Sequence, residues 1–155
     1  MKVLLVSSSP TFTDQVTTAM PAGDRVAYDE VARPERALDL LDAGEGYDVV
    51  VADNDLQPAG GLYLAREVKA RVRMGSAMPP VLLVLAREQD EYLARWSEAD
   101  AWILKPVDPF DLAAAAEALA ERRPVPQLPG VRVLAEVGGI EGPGQAGELP
   151  AGDER

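Results

Sequence analysis

The chain contains no cysteine and no histidine. The first absence excludes disulfides and thiolate metal sites, and fits a reducing compartment. The second removes the commonest general base and the commonest metal ligand. Long hydrophobic runs are missing as well. The opening run Met1–Val6 is too short for a signal-peptide core or a membrane span, so the chain is expected to be soluble and cytoplasmic, with no membrane partner. Clustered basic residues are also absent. The net charge is −11, and a duplex-binding surface needs a stripe of Lys and Arg to displace counterions from phosphates. Nucleic acid is therefore not an expected partner, and the acidity reads as simple solubility.

What is present is a regular alternation of short apolar runs with helical patterns. The chain has 155 residues, 47% of them hydrophobic, enough for one packed domain and an appendage. Strands are expected at Lys2–Val6, Arg25–Tyr28, Val49–Ala52, Val81–Leu85 and Trp102–Leu104. Helices are expected from Ser9 or Thr13 to Met20, and over Pro34–Ala43, Leu62–Arg73, Glu91–Glu98 and Pro109–Arg122, the last capped by Asp108. Strand–helix alternation of this kind builds a parallel sheet from βαβ units. The expected fold is α/β, a five-stranded parallel sheet, doubly wound. Residues 1–122 form that domain. Residues 123–155 are rich in Pro, Gly and Glu and are expected to be a disordered tail, with Val131–Val137 able to pair as an extra strand.

In a doubly wound sheet the chemistry sits where loops converge at the carboxyl ends of the strands. The first strand delivers Ser7-Ser8-Ser9-Pro10 there, the third Asp53-Asn54-Asp55, the fourth Leu85-Ala86-Arg87 and the fifth Lys105-Pro106. A carboxylate facing a lysine is a charge pair, in which the lysine holds Asp53 ionised and can bind an added phosphoryl oxygen.

Four segments, in order, resemble the CheY-like response-regulator receiver family: Tyr47–Asp53, Gly61-Leu62, Pro79–Arg87 and Asp100–Pro109. The resemblance covers residues 1 to about 122. It implies strand order 2-1-3-4-5, with Asp53 at the phosphoacceptor position and Lys105 as its charge partner. It also implies a partner face formed by the fourth helix, fifth strand and fifth helix, and a histidine kinase or a second copy as partner. The Ala, Arg, Pro and Gly richness, with the Asp-x-x-x-x-Pro-x-Gly-Gly loop from Asp53 to Gly61, is similar to stand-alone receivers of high-GC actinobacteria.

The departures from that family are specific. Where it carries two acids that hold Mg2+, this chain has Ser7 and Ser8. Hydroxyls are poor ligands for a hard divalent cation. The remaining metal donors would be Asp53 and Asp55, so Mg2+ binding is expected to be weak. The family's switch hydroxyl at the end of strand four is Leu85, Trp102 takes the place of the switch aromatic, and Pro58 falls one residue late. Phosphoryl transfer depends on positioning and charge stabilisation, so Asp53 is expected to be phosphorylated poorly or not at all.

Bland readings stand beside these. Asp53 and Lys105 could be an inherited ion pair, and the serine run could simply cap the first helix. Trp96, in the fourth helix, could be core or half-buried, or an interface anchor. Two further functions remain in view: a working phosphoacceptor in a two-component relay, and a small anionic-ligand binder using the Ser7–Thr13 loop ahead of a helix N-terminus. Independent enzymatic activity is not expected, because no nucleophile–base pair and no intact metal cluster are available.

Overall fold

The computed structural model describes residues 1–55 and 60–134. Its elements, in chain order, are β1 (Lys2–Val6), α1 (Pro10–Ala19), β2 (Ala27–Val31), α2 (Pro34–Asp42), β3 (Val49–Asp53), α3 (Gly60–Arg73), β4 (Val81–Leu85), α4 (Glu91–Ser97), β5 (Ala101–Leu104), α5 (Pro109–Ala120) and β6 (Val131–Val133). The strands form one sheet in the order β2-β1-β3-β4-β5-β6. The first five run parallel and β6 is antiparallel to β5.

Every residue of β3 and β4 is buried, as expected of central strands covered on both faces. Alternate side chains feed two cores. Leu4, Val6, Val50, Ala52, Leu83, Leu85 and Trp102 pack with Leu38, Leu41, Leu64, Val68 and Ala94 of α2, α3 and α4. Val3, Leu5, Val49, Val51, Leu82, Val84 and Ile103 pack with Phe12 and Val16 of α1 and with Leu112, Ala115 and Ala116 of α5.

Local signals start the helices. Ser9 Oγ accepts from the Phe12 N–H at 3.2 Å, with Pro10 as the first helical residue of α1. Asp108 does the same for α5, accepting from the Asp111 N–H at 3.1 Å, ahead of Pro109. Each cap satisfies one otherwise orphaned donor. The cap of α1 is therefore Ser9 and not Thr13.

Two expectations need correction. The second strand lies at Ala27–Val31, two or three residues later than hydrophobicity suggests, because its register is set by pairing from Lys2↔Ala27 to Val6↔Val31. The sheet also has six strands where five were expected. Of the region assigned to a tail, residues 123–134 instead return to the fold, and Val131 is buried beside Ile103 and Leu112. Tertiary burial there outweighs a Pro- and Gly-rich composition. The edge of β5 is accordingly covered by β6, so the expected face of α4, β5 and α5 does not present a bare strand. Pro58, Val137 and residues 135–155 lie outside the described residues.

Gly61 fixes how closely α3 approaches the end of β3. A Cβ there would stand 2.9 Å from Leu83 Cδ2 and 3.1 Å from the Asp53 carbonyl oxygen. Gly61→Ala therefore forces the helix away from the strand that carries Asp53. The expected cost is about 1–3 kcal/mol, read as a lower urea midpoint with an unchanged slope; an unaltered midpoint would show that the helix shifts freely.

Candidate functional site

Three strand ends bring Ser7, Asp53 and Lys105 together. Asp53 is only 2% exposed, and a buried carboxylate is tolerated only when its charge and lone pairs are matched. The matching is close. The Ser7 hydroxyl donates to Asp53 Oδ2 at 3.0 Å. The Asp55 N–H donates to Asp53 Oδ1 at 3.0 Å, and Lys105 Nζ reaches the same oxygen at 3.2 Å. Lys105 also reaches Asp55 Oδ2 at 3.3 Å, and its ammonium lies 5.5 Å from the centroid of the Phe12 ring.

The backbone holds these groups in place. The Ser7 N–H donates to the Val31 carbonyl at 3.0 Å, that of Asn54 to Val84 at 2.9 Å, and that of Lys105 to Leu85 at 2.8 Å. Asn54 Oδ1 accepts from the Leu62 N–H at 3.2 Å and ties the loop after β3 to the start of α3. The peptide between Lys105 and Pro106 is cis. At the rim, Arg87 pairs with Asp90 at 3.0 Å. Hydrogen bonding to Asp90 raises the Arg87 guanidinium above its usual value, and the charge of Asp55 adds to this.

The other expected residues are placed as follows. Ser8 is exposed at the mouth. Leu85 and Trp102 are fully buried in the core on the α2–α4 side, with Trp102 Nε1 donating to Glu91 Oε2 at 3.1 Å. The position of a switch hydroxyl is thus hydrocarbon, and the aromatic is anchored from α4. Trp96 is not a core residue. It is 58% exposed, with the Arg66 guanidinium 4.2 Å from the centroid of its ring.

Two alternatives meet the geometry directly. The Ser7–Thr13 loop spends three of its N–H donors internally: the Ser9 N–H donates to Ser7 Oγ at 3.0 Å, Phe12 N–H to Ser9 Oγ, and Thr13 N–H to the Ser9 carbonyl. Pro10 has no N–H, and the Asp53 carboxylate stands beside the loop, so little there favours an anion. The receiver family places Mg2+ against the phosphoacceptor, and the residues present do not fit that ion. Asp53 Oδ1 faces an ammonium and an N–H, Oδ2 faces a hydroxyl proton, and Asp55 is already paired with Lys105. Among the described residues, no group of three or more acidic, His or Cys side chains could hold a metal.

Fold and site together define a receiver-type α/β domain with an aspartate–lysine pair at the carboxyl end of the sheet. An uncharacterised response regulatory protein of Mycobacterium tuberculosis is 30% identical over 117 residues, covering 72% of this chain and 85% of that protein. The transcriptional regulatory protein TcrA of the same organism is 31% identical over 131 residues, covering 83% of this chain but 49% of TcrA. Among solved structures, a response regulator of Chloroflexus aurantiacus superposes with a TM-score of 0.68 at 19% identity, covering 78% of this chain and 98% of that one. The chemotaxis response regulator CheY4 of Vibrio cholerae does so with a TM-score of 0.61 at 20% identity, covering 76% and 97%. No family model matches the chain. The chain belongs to the response-regulator receiver family of two-component signalling.

Sequence reasoning reached Asp53 and Lys105 through the topology. It missed the Ser7 hydrogen bond, the pairing of Asp55 with Lys105 and the Asn54 clamp, all of which depend on loop geometry that no local pattern encodes. The charge logic makes a test. Lys105→Met leaves the buried carboxylate without its cation and is expected to cost about 1–3 kcal/mol. Asp53→Asn should cost less, because the half-exposed lysine keeps Asp55. Adding Asp53→Asn to Lys105→Met should recover part of the loss in a double-mutant cycle; strict additivity in urea unfolding would show that the two groups do not couple.

Proposed function

We propose that this receiver acts in signalling through protein–protein contacts, with little or no dependence on phosphorylation of Asp53. The observation that carries the reading is the occupancy of Asp53: both carboxylate oxygens are satisfied by Ser7, Asp55 and Lys105. With serines at the acid positions, Mg2+ binding is weak, and the charge of an incoming phosphoryl group is offset by Lys105 alone. Catalysis of phosphoryl transfer is largely charge stabilisation and positioning, so the acceptor is slow. The fully buried Leu85 offers no hydroxyl to report a phosphoryl group to the partner surface.

The protein works as a non-enzymatic module in the cytoplasm. No helix among the described residues is long and apolar enough to cross a membrane. Its partners are other proteins of two-component signalling, a histidine kinase among them. The contact surface we assign is α4, where Tyr92 and Trp96 lie one helical turn apart and are both largely exposed. Trp and Tyr are enriched among residues that anchor interfaces, and Arg66 pre-orders the Trp96 ring by stacking on it.

A working phosphoacceptor is the competing reading, supported by the retained aspartate–lysine contact at 3.2 Å. Incubation with acetyl phosphate and Mg2+, followed by intact mass, separates the two. The expected result is little or no phosphoryl adduct on the wild type, and a clear adduct once Ser7→Asp and Ser8→Asp restore an acid pair. Near-complete addition of one phosphoryl group to the wild type, abolished by Asp53→Asn, would overturn the proposal.

A further inference from the structure

The chain carries a net charge of −11, yet one of its helices is basic. α3 holds Arg66, Lys69, Arg71 and Arg73 against the single acid Glu67, whereas α1, α2 and α5 each hold more acids than bases. Most of these cations are already matched. Lys69 pairs with Asp100 at 2.7 Å, Arg71 with Asp42 at 2.7 Å, and Arg73 with Glu98 at 2.6 Å. Arg66 differs. Its guanidinium lies over the Trp96 ring and donates to the Trp96 carbonyl at 3.0 Å, and it meets no carboxylate among the described residues. Arg95, next to Trp96 on α4, is exposed and likewise pairs with no acid among them. Other arginines without an ion pair stand among acids. Arg25 shares a cavity with Asp24, Asp48, Glu117 and Glu121, and Arg36 lies between Glu35 and Asp39 in α2.

Arg66 and Arg95 flank an aromatic patch. Tyr63 precedes Arg66 by one turn of α3, Tyr92 precedes Trp96 by one turn of α4, and all three rings are exposed. Exposed aromatic rings grouped with arginine mark contact surfaces.

The chain leaves the described structure beside this patch. Leu134 packs against the core beneath α2, α3 and α4, not the one beneath α1 and α5. Its N–H donates at 3.2 Å to the carbonyl of Asp100, which follows the end of α4 closely. Residues 135–155 then contain Glu136, Glu141, Glu148, Asp153 and Glu154 against the single base Arg155. Val137, Ile140 and Leu149 lie between those acids. Ten extended residues reach about 35 Å and a helix is about 10 Å wide, so both arginines are within range.

From these observations we propose that residues 135–155 dock in cis on the outer face of α3 and α4. Their carboxylates pair there with Arg66 and Arg95, and the segment covers Trp96. Single exposed ion pairs are weak. Here several acids share one chain tethered at Leu134, so each contact forms at the high effective concentration of an intramolecular partner. The acidic remainder of the surface repels the segment, which directs it to this face. The segment is then a removable cover: a signalling partner that uses α4 displaces it, and added salt loosens it by screening. The inference rests on the reading above only in taking α4 as the contact face, and not on the state of Asp53.

Because the chain has no cysteine, Ala151→Cys in the full chain gives one attachment point for a nitroxide, far in sequence from Leu134. Amide signals are compared with the nitroxide oxidised and reduced. The expected result is broadening at Arg66, Arg95 and Trp96, with the amides of α1 and α5 unaffected. The effect should fall about twofold or more in about 0.5 M salt. It should fall likewise with Glu141→Gln and Glu148→Gln together, or with Arg66→Gln and Arg95→Gln together. Absent broadening, equal broadening on both sides of the sheet, or broadening centred on α1 and α5 would overturn the proposal. So would broadening at α3 and α4 that ignores salt and both pairs of substitutions, since tethering alone would then explain it. Isotope-labelled chain without nitroxide, mixed with nitroxide-bearing chain without isotope, should show none; broadening there would assign the contact to a second copy and overturn docking in cis. The acetyl phosphate result on Asp53 does not depend on this contact, so the two proposals fail separately.

Discussion

The structure turns on one buried negative charge. The carboxylate of Asp53 ends the central strand in a place that water hardly reaches, where an unpaired ion would cost several kcal/mol. The solution draws on three strand ends at once: a hydroxyl after β1, an N–H after β3 and an ammonium after β5. The same residues that neutralise the charge also lock the mouth of the sheet. The loops there are therefore held by polar contacts at their tips and by hydrocarbon beneath them.

That arrangement sets the chemistry available. A charge balanced by a lysine and a hydroxyl needs no divalent cation for stability, and the two serines offer a hard cation little. The residues at the switch positions lie deeper in the fold. Leu85 and Trp102 are packed into one hydrophobic cluster, and the indole N–H is engaged by Glu91. Under the proposed reading, such a pocket serves to present a surface and not to toggle one.

Much of this was legible in the sequence, and the limits of legibility are physical. β1 and β4 fall at Lys2–Val6 and Val81–Leu85 as read from the sequence, because strands buried on both faces are marked by unbroken apolar runs. β2 is at the edge and half-exposed, with Asp29 and Glu30 in its middle, so hydrophobicity misplaces it and only pairing with β1 defines it. The pairing of Asp53 with Lys105 follows from topology, since both stand at carboxyl ends of strands in one sheet. The role of Ser7 does not, because a hydroxyl next to a helix start reads equally well as a cap. Ser9 takes the cap, which leaves Ser7 free to face the carboxylate. β6 was legible only as an option. Three residues between prolines, glycines and acids carry too little local signal, and their burial against Ile103 and Leu112 comes from the tertiary fold.

The central claim is that protein groups, and not a metal, balance the charge of Asp53. It is tested most directly by titrating Mg2+ into the isotope-labelled protein and following the backbone amide signals of Asp53, Asn54 and Asp55. The account predicts only small, linear, non-saturating shifts, no larger than those at exposed acids such as Asp24 and Asp39. Saturable shifts confined to those three amides and to Ser7, with a midpoint in the low millimolar range, would contradict it.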